Sequence, residues 1–91
     1  MRSLLIVGAD RLGLIPDKLI SLGFDEVLHV SGRKNKMVEK EIPEKTSCIL
    51  VLTDYVNHNL STVIKKRAKN QSIPIYYANR SWCSIYKALT S

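Results

Sequence analysis

Seven consecutive residues, TDYVNHN at 53–59, gather an aspartate, two asparagines and a histidine where an apolar run gives way to a lysine-rich segment. Asp54 and His58 stand four residues apart, and such a pair can exchange protons with a bound molecule or, with Thr53, orient it by hydrogen bonds. Local structure accounts for part of the cluster. Asn57 is a good helix N-cap, and Asp54 is suited to turning the chain. Capping does not account for His58, because an imidazole in a first helical turn gains nothing from the helix dipole. Three roles stay open for it: a structural hydrogen bond to a neighbouring loop, ligand binding or acid–base chemistry, and metal ligation.

Three other polar segments carry comparable groups. GADRLG (8–13) sets Asp10 and Arg11 between two glycines. It is not a P-loop, because no Lys-Ser/Thr pair follows the second glycine, and Ala9 and Asp10 exclude the dinucleotide glycine pattern. SGRKNK (31–36) offers Ser31, Gly32 and Arg33 with two lysines, a composition that favours a phosphate. NRSW (79–82) offers Arg80, which can hold a carboxylate or phosphate bidentately, and Ser81, which can cap a helix. No Ser/His/Asp or Cys/His nucleophile set can be assembled. His29 reads as packed and hydrogen-bonded within a strand, with catalysis as the other option.

The elements that must position these groups follow from apolar periodicity. Residues 3–8, 26–31, 48–53 and 73–78 read as strands, the first and third as continuous apolar runs covered on both faces. Pro16 opens one helix, which Gly23 ends. Residues 34–42 give a second helix, with Met37, Val38 and Ile42 at helical spacing before Pro43. A third carries the apolar stripe Leu60, Val63, Ile64 and Ala68, leaving Lys65, Lys66, Arg67 and Lys69 largely outside it. The last runs from about Ser81 to Leu89, with Trp82, Ile85, Tyr86 and Leu89 as its packing face. The pattern is βαβαβαβα in one domain spanning residues 1–91. It predicts a four-stranded parallel sheet in the order 2-1-3-4, covered by helices on both faces. Pro74 lacks a ladder donor, which places strand four at an edge. All four polar segments then fall at the carboxyl ends of strands, where sheets of this kind bind ligands, whereas GFDE, PEKTS and NQS at the opposite end look like simple turns.

The chain has 91 residues, 45% of them hydrophobic, and a formal net charge of +6. Its core is thin for a folded domain, so association through an apolar face is expected. The charge favours an anionic partner. The apolar runs are too short to span a bilayer, and the first is followed at once by Asp10 and Arg11, unlike a secretion signal. Cys48 and Cys83 lack pairing or metal-ligand spacing and read as buried free thiols of a cytoplasmic protein.

The segments VGADRLG, EVLHVSGRK, LVLTDYVNHN and IPIYYANRSW, in this order, resemble the small bacterial proteins grouped as domain of unknown function 2325, over nearly the whole chain. The resemblance implies a Rossmann-like α/β three-layer fold and draws notice to His29, Gly32, Asp54, His58, Lys65 and Lys69. Some relatives carry cysteines in the strand-three loop and in the basic helix, where this chain has Tyr55 and Ala68. That departure removes those thiolates and argues against a metal, haem or thiol role here.

The leading expectation is a module that binds an anionic small molecule, a nucleotide or phosphorylated metabolite, and senses rather than catalyses. Asp10, Arg11, Ser31, Gly32, Arg33, Thr53, Asp54, His58, Arg80 and Ser81 would form its site, with no metal and with its cofactor undetermined. One alternative is a nucleic-acid-binding module using Lys65, Lys66, Arg67 and Lys69. Another is a homodimeric interaction protein with Trp82, Tyr76 or Tyr77 at its interface.

Overall fold

The computed structural model describes residues 2–31 and 42–90. Within them lie four strands, β1 (Ser3–Val7), β2 (Glu26–Val30), β3 (Cys48–Leu52) and β4 (Ile75–Ala78), and three helices, α1 (Ile15–Ser21), α2 (His58–Asn70) and α3 (Trp82–Thr90). The sheet order is β2-β1-β3-β4 and every neighbouring pair is parallel. This is the Rossmann-like α/β arrangement that the alternation of strand and helix patterns predicts. The helix read over residues 34–42 lies outside the described residues except for Ile42, which is buried.

Position in the sheet explains the strand compositions. β1 and β3 are central, are buried at every residue, and are apolar throughout except for Ser3. β2 and β4 are edges and are only partly covered. Side chains alternate between two apolar layers. Leu4, Ile6, Cys48, Leu50, Leu52 and Ala78 face one layer, closed by Ile15 and Leu19 of α1 and Ile85 of α3. Leu5, Val7, Ile49 and Val51 face the other, closed by Leu60, Ile64 and Ala68 of α2. Pro74 stands just before the β4 edge strand, and its carbonyl still accepts from the Ile49 N–H at 2.9 Å.

Glycine ends α1 as its position suggests. Gly23 has φ +110, its N–H donates to the Ile20 carbonyl, and the Phe24 N–H donates back to that of Leu19. These paired bonds form a Schellman cap, and Phe24 and Leu19 are buried in the same layer, as that cap favours. On α3 the packing face is rotated from expectation. Ile85 is buried, Ala88 packs beside Leu89, and Tyr86 stays exposed. No described helix is long and apolar enough to cross a membrane.

Candidate functional site: a cleft at the carboxyl ends of the central strands

β1 lies between β2 and β3, so the chain leaves it toward one neighbour and returns on its other side. The loops after β1 and β3 therefore diverge there, and a crevice forms at such a point. Their backbones meet closely at its base. A Cβ on Gly8 (φ +120) would lie 3.0 Å from the Leu52 carbonyl oxygen and 3.1 Å from the Leu52 Cβ. The glycine is required by this approach of protein to protein. Ala9 follows at φ 62, uncommon for a residue with a side chain. Its N–H donates to the Tyr55 carbonyl at 2.8 Å.

His29 secures the same turn from β2. Its Nε2 lies 2.9 Å from the Gly8 oxygen and 3.0 Å from the Ala9 oxygen. Both partners only accept, so Nε2 carries the proton. His29 is thus hydrogen-bonded as the sequence suggested, but it is exposed on the edge strand.

Several polar residues read as ligand-binding are engaged in holding the loops. The Thr53 N–H and hydroxyl both donate to the Ala78 carbonyl, at 2.9 and 3.3 Å. The Asp54 carboxylate accepts the Arg80 backbone N–H, at 3.1 and 3.3 Å to its two oxygens. Ser81 caps α3, its Oγ accepting from the Ser84 N–H at 3.1 Å. The Ser31 hydroxyl donates to Asp10 at 2.9 Å. Arg80 folds back over the first loop, its Nε and Nη2 donating to the Arg11 carbonyl at 3.0 and 2.7 Å. Its remaining guanidinium N–H groups are not used in that fork.

Above this base lies a cleft of about 370 Å³ lined by Ala9, Asp10, Arg11, Tyr55 and Arg80. Asp10, Arg11 and Arg80 were legible as candidates, and Ala9 and Tyr55 were not. An exposed aromatic at a strand's carboxyl end was the available signal for Tyr55, which is 58% exposed. Arg11 is exposed, and its guanidinium has no partner among the described residues. Gly32 and Arg33 lie outside the described residues.

His58 occupies the first position of α2, behind the cap that Asn57 provides by accepting the Asn59 N–H at 2.8 Å. It is exposed, its ring makes no hydrogen bond among the described residues, and no bond joins it to Asp54. It also lies outside the cleft lining. Among the described residues, no three His, Cys, Asp or Glu side chains group as a metal would require. Both cysteines are free, Cys48 buried and Cys83 exposed, which corrects the expectation that both are buried. Burial pushes the Cys48 thiol up, against an opposing pull from the Arg2 charge. Trp82 and Tyr76 pack partly buried against the chain's own core, while Tyr77 stays exposed.

A family model described as an uncharacterized protein conserved in bacteria (DUF2325) matches residues 3–91. No curated protein and no solved structure matches the chain.

Proposed function

We propose, for a chain that belongs to the DUF2325 family of uncharacterized proteins conserved in bacteria, that the cleft binds an anionic small molecule, a nucleotide or phosphorylated metabolite, in a sensing or regulatory role. The observation that carries this reading is the coincidence of an arginine without a partner among the described residues and a cleft at the strand-order switch. Arg11 and Arg80 each supply a cation; the Arg80 guanidinium is held by the Arg11 carbonyl, and its backbone N–H by the Asp54 carboxylate. A phosphate between them would receive charge-assisted hydrogen bonds. Tyr55 offers a ring face for a base or other flat group, and Asp10 offers an acceptor for hydroxyls. Binding is favoured over catalysis because Asp54 is engaged with Arg80 and His58 stands outside the cleft.

A calorimetric screen of nucleotides and phosphorylated metabolites tests the reading. Arg11→Ala should weaken any saturable ligand by roughly 10- to 100-fold, the value of one or two charge-assisted bonds. Tyr55→Ala should weaken ligands that carry a base more than those that do not. No saturable response from the wild type, or a response that Arg11→Ala leaves intact, would end the proposal.

A further inference from the structure

The positive excess of this protein is confined to one part of the chain. Residues 1–54 contain eight lysines and arginines against eight aspartates and glutamates, whereas residues 55–91 contain six basic residues and no acidic one. Four of the six lie on α2, whose 13 residues include no carboxylate.

A solvated helix face ordinarily mixes signs, with acids three or four positions from lysines. At about 100° per residue, His58, Thr62, Lys65 and Lys69 align in one stripe with Lys66 at its flank. The stripe lies opposite the buried Leu60, Ile64 and Ala68. Lys65, Lys66 and Lys69 are exposed, and Lys65 and Lys69 repel each other at i and i+4. The helix dipole favours Lys69 in the last turn, but not Lys65 and Lys66 in mid-helix. Arg67 is half-buried, has a partner of its own and points away from the stripe.

We propose that the outer face of α2 binds the phosphodiester backbone of a nucleic acid through Lys65, Lys66 and Lys69. This goes beyond a small ligand in the cleft and does not rest on it. The face is a convex helix surface, and its cations are spread along the axis, about 6 Å from Lys65 to Lys69. Such a row matches an extended polyanion better than a single phosphate. No Phe, Tyr or Trp lies on it and His58 stands at one end, so it would contact backbone more than bases and bind with little sequence preference. An acidic membrane surface fits less well, because a helix that lies on lipid needs a free apolar face and that of α2 is buried against the sheet.

The test is fluorescence anisotropy of the full chain with labelled single-stranded RNA, single-stranded DNA and duplex DNA, each about 20 nucleotides long, with anionic vesicles as a separate arm. At least one nucleic acid should bind saturably at about 50 mM salt and lose roughly 20- to 40-fold in affinity by about 200 mM, as three phosphate contacts require. The triple variant Lys65→Ala, Lys66→Ala, Lys69→Ala should lose most of the binding and of the salt slope while keeping the wild-type circular dichroism spectrum. Lys65→Ala alone should weaken binding more than Lys87→Ala, which removes an equal charge on α3. Since all three lysines are exposed, a folded variant is expected. Three results would overturn the proposal: no saturable binding to any nucleic acid at about 50 mM salt, equal losses from Lys65→Ala and Lys87→Ala, or capture by vesicles alone.

Discussion

Gly8 sits where the fold leaves no room for a side chain. Gly8→Ala adds a Cβ at 3.0 Å from a backbone oxygen, in a conformation that L-residues avoid, so stability should fall by about 2–4 kcal/mol in urea denaturation. Gly23→Ala is the contrasting case. There the added Cβ meets the Arg2 guanidinium, the end of a side chain that can move, and only the backbone strain of about 1 kcal/mol remains. Equal losses would place the strain in the left-handed conformation alone. The two cysteines differ as sharply. A thiol reagent should modify one cysteine, Cys83, in the native protein, and Cys48 only after unfolding. The sequence shows that Gly8 ends an apolar run and that an arginine follows β4. It does not show that Gly8 abuts Leu52, or that Arg80 grips the Arg11 carbonyl, 69 residues away along the chain. Those contacts depend on which strands become neighbours, and no local pattern encodes them.

At the scale of elements, local chemistry was the better guide. The uninterrupted apolar runs marked the two central strands, and Pro74 marked the edge, because burial on both faces and the absence of a ladder donor each leave a mark in composition. Asn57 caps α2 as its residue type and position suggest. Asn57→Ala should therefore cost about 1 kcal/mol, while Asn57→Asp should be neutral or slightly stabilising, since a carboxylate retains the acceptor and complements the helix dipole. A cost for the aspartate equal to that for alanine would remove capping as the reason for this residue. Periodicity was less decisive on α3. Trp82, Ile85, Tyr86 and Leu89 all fit a helical stripe, but a stripe has a centre that its spacing does not fix. The fold centres it on buried Ile85, which brings Ala88 inward and leaves Tyr86 outside with its ring 6.2 Å from that of Trp82. Tyr55 was not read as a cleft residue for a related reason: a single loop residue has no period, and its position at a strand's carboxyl end was the one sequence signal for it.

Among the described residues, the cleft beyond the strand ends with Arg11 and Arg80 and the lysine-bearing outer face of α2 are separate surfaces, both supported by one core. That core contains, among the described residues, one titratable group displaced from its ordinary range. Cys48 heads β3 among Leu4, Leu50 and the α1 side chains, and burial raises its thiol pKa although the Arg2 charge opposes the shift. The folded chain therefore keeps this proton to a higher pH than the unfolded chain does. Below the ordinary thiol pKa both states hold it and stability is independent of the group. As pH rises past that value the unfolded chain releases the proton first, so the contribution is lost progressively until the folded thiol titrates as well. Cys48→Val fills most of the same space without a proton to lose. Urea denaturation of both proteins at about pH 8 and about pH 10 should show the wild type losing more stability than the variant across that interval, since the lysines and tyrosines that also titrate are common to both. Identical losses would show that the Cys48 thiol is exposed to solvent in the folded chain, and the packing of β3 against α1 and α3 would then be looser than its buried apolar layer indicates.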